Sequence, residues 1–553
     1  MFRSNRRLLS LGLPLLAVIG AGLLAGGCET TAVDPAAAAP ETAETEDDLT
    51  SNTALARSLA FSGVVYLDVN ASAYTILAAV KKQNQSAFGA FRTATIGVNS
   101  RELGDIDAKA FIRTPVDVID VSKVGLPVAK KMLRVSYTYR DTAVVPKSMS
   151  KRSSLTLGML SPDYGSQTKR ILQECTDNDK EANEFESSIW YVFNPSLQSC
   201  KDAMAKEQKV VNADRAKLKD PKAQVTLSEV SRLYTPMTAA LSGDKTNKNK
   251  SYPEYDKLWS GGIKKGRLIV SVVGGLLASW EGNGPKPSTV DDEGYHEWFS
   301  MMREVYTGRP GFQLVRTEPA VDLGSYQIDK VKVTGAKFAD LMRWELDGTG
   351  WPAGITTFAQ QKALRQAVAD KILHNWLTFE VTLQVQIGAA AKTPVVVEID
   401  SYFGAGGDSG PHKRAIKSSD VFIYNGHSYI GYGPLDPSNF SASDFPSSYQ
   451  LFFIDSCVSY NYYEKDYFPL KKGATANLEL ITNGMETWTT GSGGALGKFI
   501  ATLTDGKQHT YSELLKSAEV ANGYDWGGDA LRMVDGELDN LYTPTKTPIV
   551  VTQ

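Results

Sequence analysis

A histidine and a cysteine stand 30 positions apart in the C-terminal third of the chain, each just past a short apolar run. Val421-Phe422-Ile423-Tyr424 leads into Asn425-Gly426-His427-Ser428, and Leu451-Phe452-Phe453-Ile454 leads into Asp455-Ser456-Cys457. Nearly continuous apolar runs of this length suit strands buried on both faces of a parallel sheet. If the two strands are parallel neighbours, the imidazole and the thiol leave the same sheet edge, as a nucleophile and its base must. The thiolate is the reactive form, and a nearby imidazole stabilises it or carries its proton. Backbone N–H groups of Gly426, Ser428 and Cys457 are then expected to hold the oxyanion of an acyl intermediate. Taken singly, each residue has a plainer reading. A lone cysteine after a buried strand is most often a small hydrophobe, and a Gly-His pair is most often a turn.

The elements that must position this pair alternate between strand and helix. Arg267 to Gly274 reads as a strand, Glu293 to Tyr306 as a helix, Phe312 to Arg316 as a strand and Phe358 to Trp376 as an amphipathic helix. Strands follow at Phe379 to Ile387, Val395 to Ile399, Val421 to Asn425, Leu451 to Asp455 and Leu478 to Thr482. The later connections are long enough for crossovers, so residues 251–525 are expected to form an α/β layered fold with a mostly parallel sheet. Function is expected where loops leave the carboxyl ends of the strands. Upstream, residues 57–250 read as a β-rich or mixed domain, with strands at Val64 to Val69, Leu133 to Tyr139 and Ser154 to Met159 and a solvated helix at Ser199 to Leu218. The polar stretch Ser242 to Tyr252 reads as the boundary, and 526–553 as a C-terminal extension.

At Gly426-His427 and Ser456-Cys457 the sequence resembles the caspase-hemoglobinase superfamily of cysteine peptidases, and within it the gingipain-like branch. The resemblance covers about 390–525 and includes Gly473-Ala474, the strand Leu478 to Thr482, Trp488, Ala495-Leu496-Gly497-Lys498-Phe499 and Tyr511 to Ala518. Ser428 stands where that family commonly has a second glycine. The resemblance implies a caspase-like layered fold and a cysteine endopeptidase in which His427 and Cys457 form the catalytic dyad. It also implies a substrate pocket built by the loop after Leu478 to Thr482, where Glu486 and Trp488 would line the site. A carboxylate such as Glu486 can select a basic side chain by a charge-assisted bond. The run Tyr460, Tyr462, Tyr463 and Tyr467 suits either a substrate groove or the core. A non-catalytic binding module on the same fold is the rival reading, with a peptide or protein ligand in place of a substrate.

The N-terminus gives an address. Arg3, Arg6 and Arg7 precede the apolar stretch Leu8 to Leu24, and the small residues Ala25-Gly26-Gly27 come just before Cys28. This resembles the lipobox of bacterial lipoproteins, with Cys28 as the acylated first residue of the mature chain, and Glu29 after it implies the outer membrane of a Gram-negative envelope. Residues 29–56 hold almost no large apolar side chains and read as a disordered tether. An exported chain keeps disulfides, so Cys175 and Cys200 are the expected bridge and Cys457 is the thiol left over.

The rest of the composition excludes more than it assigns. A net charge of -3 with no long Lys/Arg cluster argues against a nucleic-acid partner. His296, His374, His412 and His509 lack metal-ligand spacing, so neither a metal nor another cofactor is expected. Gly407-Asp408-Ser409-Gly410-Pro411 is similar to a serine-peptidase nucleophile loop but lacks the second glycine after Ser409, and Gly404 to Gly410 fits no phosphate-loop spacing. It reads as a surface loop.

Overall fold

Strands rich in β-branched and aromatic residues build two large sheets, and the first comes almost wholly from the N-terminal half. The computed structural model describes residues 49–177, 184–277, 288–487, 489–522 and 530–552. The N-terminal sheet contains β1 (Ala54–Asp68), β2 (Gly97–Val98), β3 (Ile112–Ile119), β4 (Val128–Pro146), β5 (Ser154–Leu160), β6 (Gln224–Thr226) and β7 (Tyr234–Ser242). Their order is β5-β7-β1-β4-β3-β6, with β2 also on β4. Only β3 and β6 run parallel. Cys175 and Cys200 are bonded to each other and lie in the core of this half, fixing helix Thr168–Cys175 to helix Gln198–Arg215.

The second sheet contains β8 (Arg267–Gly275), β9 (Gln313–Glu318), β12 (Trp376–Ile387), β13 (Thr393–Ala405), β14 (Val421–Asn425), β15 (Gln450–Asp455), β16 (Leu478–Asn483), β17 (Arg532–Asp535) and β18 (Ile549–Thr552), with the small hairpin β10 (Tyr326–Ile328) and β11 (Val331–Val333) apart from it. Its order is β17-β16-β15-β14-β8-β13-β12-β18, and β9 also pairs with β12. The strands β13, β8, β14, β15 and β16 are mutually parallel, whereas β12, β17, β18 and β9 join antiparallel. The protein is therefore a mixed α/β structure with parallel and antiparallel pairing.

The apolar runs do what their continuity demands. Phe422, Tyr424, Phe452 and Ile454 point into one core shared with the N-terminal half, while Val421, Ile423, Leu451 and Phe453 point into the opposite core under the helices Glu293–Gly308, Phe358–Ile372, Thr489–Leu503 and Tyr511–Asn522. With side chains alternating across the pleat, both faces of β14 and β15 are buried. No described helix is long and apolar enough to cross a membrane.

Two boundaries read from the sequence move. The segment after 526 is no separate extension, because β17 and β18 complete the second sheet. Order begins before residue 57: Leu49 bridges Thr246, Thr50 bridges Val534 and β1 starts at Ala54. Leu49 and Ala54 are buried, which offsets the entropy of ordering a segment whose composition reads as a tether. Cys28 and the rest of the N-terminal segment lie outside the described residues.

Candidate functional site

The site is built at the carboxyl edge of the parallel strands. β14 and β15 pair in register from Val421 with Leu451 to Asn425 with Asp455, so His427 and Cys457 each lie two residues beyond a matched pair. On the other side of β14, Asn425 is in register with Gly274 of β8. Gly426 is required by the crowding here: a Cβ would stand 2.5 Å from the Tyr424 hydroxyl and 3.3 Å from the Gly275 Cα. The Tyr424 hydroxyl donates to the His427 carbonyl at 2.9 Å and folds the loop back on its own strand.

The imidazole is oriented from β8. His427 Nε2 lies 2.6 Å from the Leu277 carbonyl oxygen. A carbonyl only accepts, so Nε2 is a nitrogen that carries a proton. Below the loop, the Tyr463 hydroxyl donates to the Ser428 carbonyl at 2.6 Å and the Tyr467 hydroxyl to the Leu435 carbonyl at 2.5 Å. Tyr460, Tyr462, Tyr463 and Tyr467 are fully buried, so this run packs the core and ties down the His427 loop instead of lining a groove.

Cys457 sits on an equally constrained turn. Val458 has φ 53°, in the left-handed region, and its N–H donates to the Met485 carbonyl at 3.0 Å. A buried β-branched residue held there costs on the order of 1–3 kcal/mol, and such strain gathers at functional sites. Asp455, just before the turn, accepts from Asn483 Nδ2 at 2.8 Å and from Arg532 at 3.1 Å, an ion pair almost wholly buried. The thiol itself donates to the Thr487 carbonyl, with Sγ 3.7 Å away, and not to the imidazole. Burial, and then the negative charge of Glu486, push the thiol up to about 11, against the opposing pull of Thr487 and Arg92. In this state it is protonated.

The three predicted oxyanion donors divide. Gly426 N–H is turned toward the Asp455 carbonyl at 3.4 Å, extending the strand ladder, and is thereby removed from that role. The N–H groups of Ser428 and Cys457 make no hydrogen bond among the described residues. Glu486 forms an ion pair with Arg92 of helix Ala87–Thr93, in the N-terminal half. Trp488 lies outside the described residues.

Sequence reasoning missed the groups around this edge. A small cavity of about 10 Å³, lined by Gly274, Gly275, Leu277, Glu297, Trp298 and Asn425, lies between β8, β14 and helix Glu293–Gly308. Glu297 is buried and accepts N–H bonds from Gly491, at 3.1 Å, and Gly493, in the first turn of the helix that follows the Glu486 loop. Burial raises its carboxyl to about 7, opposed by those two N–H groups. Nothing in the helical spacing of Glu293 to Tyr306 distinguishes this glutamate.

The N-terminal half also grips both functional loops. Arg101 donates to the Gly431 carbonyl at 2.7 Å and pairs with Asp436 in the His427 loop. Asn461, four residues past Cys457, donates to the carbonyls of Val98 and Ser100, and Asn99 bonds Glu464. No cluster of three or more His, Cys, Asp or Glu side chains suited to a metal occurs among the described residues. In comparisons with known proteins, no family model, no curated protein and no solved structure matches the chain.

Proposed function

We propose that the chain is a cell-envelope lipoprotein, acylated at Cys28, whose C-terminal half is a cysteine peptidase domain of the caspase-hemoglobinase type acting on peptide or protein substrates. One observation carries the reading: His427 and Cys457 leave neighbouring parallel strands of one sheet edge at equal offsets, with the imidazole held by a carbonyl from the end of the central strand β8. The strand order around them supports it, a parallel block β13-β8-β14-β15-β16 closed by the antiparallel β17.

In the mechanism, Cys457 Sγ attacks the scissile carbonyl carbon while its proton passes to the His427 ring. The C–N bond breaks as the imidazolium returns that proton to the amine. Water then hydrolyses the thioester and restores the thiol. The N–H groups of Ser428 and Cys457 stabilise the oxyanion in both tetrahedral states. Substrate must first draw the thiol from the Thr487 carbonyl.

The protonated, carbonyl-bound thiol favours a second reading, a non-catalytic envelope module that binds a peptide or protein through the same loops. A peptidyl acyloxymethylketone separates the two, because it captures a thiol that attacks a bound carbonyl analogue. The peptidase reading expects labelling of Cys457 that is lost in His427→Ala; labelling no greater than in a denatured control overturns it. The lipid assignment is tested by radiolabelled palmitate incorporation in the native host, expected to vanish in Cys28→Ala.

A further inference from the structure

A larger cavity, of about 490 Å³, lies where the helix Ala73–Gln85 and the turn Arg101–Leu103 meet the C-terminal half. Small-molecule sites enclose roughly 300–1,000 Å³. Tyr432, five residues past His427, and Lys465 and Asp466, on the helix Ser459–Tyr467 that follows Cys457, form part of its wall. The backbone beside it is strained: Glu102 and Leu103 have φ 49° and 57°, and Tyr429 and Ile430, just before Tyr432, both have φ 52°. Such residues gather at ligand clamps, where the surroundings hold them in place. The charges in the wall are unevenly matched. Arg101 is taken by Asp436 at 3.2 Å, and Lys465 by Asp105. Lys81, Lys82, Glu102 and Asp466 form no ion pair among the described residues. Lys82 Nζ rests over the Tyr164 ring, 4.3 Å from the centroid, and Glu102 takes the Gln85 amide. Burial lowers Lys82 against the pull of Glu102, and raises Asp466 against the pull of Lys465 and Arg101, so both charges stand short of a counterion.

Two cations side by side on one helix, and two carboxylates on other elements, call for a ligand that carries both charges. A ligand of one sign would satisfy one pair and be repelled by the other. We propose that this cavity binds a short peptide with free ends, its carboxylate on Lys81 and Lys82 and its amino group on Glu102 and Asp466. The exposed Tyr432 ring, backed by the Arg101 guanidinium 4.7 Å from its centroid, offers apolar surface to the side chains between the two ends. The site stands apart from the thiol and does not depend on the peptidase reading. It does border the segments that follow both His427 and Cys457, so its occupant touches the N-terminal half and both of those segments at once.

The test titrates the full chain, by ligand-observed NMR, with trialanine, N-acetyl-trialanine and trialanine amide, which differ only in the charge at each end. Trialanine is expected to bind with a Kd below about 1 mM, and each capped form about tenfold more weakly. The variants then assign the ends. In Lys81→Gln/Lys82→Gln, trialanine weakens about tenfold and amidation costs nothing further, while acetylation still does. In Glu102→Gln/Asp466→Asn the pattern reverses: acetylation costs nothing further and amidation still does. Absence of saturable trialanine binding up to about 30 mM overturns the proposal. So does binding that neither cap weakens, and so does binding weakened by amidation alone, which marks a plain anion site. Variants that leave both responses to capping unchanged place the binding elsewhere and overturn it too. Should Glu102→Gln disturb the strained turn, Asp466→Asn alone decides: the proposal expects a smaller cost of acetylation than in wild type, and an equal cost refutes it.

Discussion

The reactivity of Cys457 toward a small alkylating agent is where the electrostatics of the site become measurable. Burial first, and the charge of Glu486 second, carry the thiol from an ordinary 9.0 to about 11. At pH 8 this lowers the thiolate fraction from roughly one in ten to about one in a thousand. The more basic thiolate is the better nucleophile, and a Brønsted slope of about 0.4–0.5 returns roughly eightfold of that loss. Alkylation by iodoacetamide is therefore expected to run roughly tenfold slower than at the same cysteine in the urea-unfolded chain, and to rise about tenfold per pH unit to about pH 10. Glu486→Gln removes the second cause and shifts the whole profile to lower pH. Peptide mass spectrometry reads the site directly, since Cys457 is the free cysteine among the described residues. A rate that is flat between about pH 6 and 8 would mean a thiolate already stabilised at neutral pH, and the argument from burial would be wrong.

Four further outcomes follow from groups near the same edge or in the cores behind it. His412, buried against Tyr424, is pushed down to about 4 by burial, so the unfolded chain takes up its proton first and stability falls as pH drops from about 6.5 towards 4. Between pH 7 and 5 that difference amounts to about 2 kcal/mol, and His412→Phe should remove it from urea-unfolding curves; identical pH slopes would refute this. Glu297, raised to about 7, works in the opposite sense: the native state holds its proton longer, so stability is lost as pH rises from about 4.5 through 7, by about 3 kcal/mol in all. Glu297→Gln should flatten that window, which unfolding measured at pH 5 and 8 would reveal. Arg532→Met leaves Asp455 charged, buried and short of its cation, for a loss of about 3–5 kcal/mol by urea unfolding, and a loss under about 1 kcal/mol would contradict the ion-pair account. Replacing both Cys175 and Cys200 by serine opens a loop with a sequence separation of 25 and is expected to lower stability by about 3.5 kcal/mol in the same assay.

Local patterns carried the reading wherever the local pattern decides the structure. The runs Val421 to Tyr424 and Leu451 to Ile454 could be read as doubly buried strands because no polar residue interrupts them, and their ends located His427 and Cys457. Cys175 and Cys200 were legible from their spacing and from the export that the N-terminal pattern leads one to expect. What stayed hidden depends on contacts between distant segments. Arg92 and Glu486 are separated by 394 positions, and no periodicity links them. Glu297 looks like any acid of an amphipathic helix until Gly491 and Gly493 are brought to it. The tyrosines after Cys457 were ambiguous because a groove and a core call for the same residues. Arg532 to Asp535 and Ile549 to Thr552 are too short to be recognised as strands without the edges they complete.

Those last two strands have a consequence for the order in which the molecule can form. β17 closes one side of the second sheet and β18 lies along β12 on the other, while Val534 also receives Thr50 from the far end of the described chain. A polypeptide that emerges in N-to-C order presents β8, β14 and β15 long before either of these strands exists. Until residues 530–552 arrive, the β16 margin and the stretch of β12 that β9 leaves uncovered remain open to pairing with other chains. That interval is when the sheet is most open to pairing with the wrong strand.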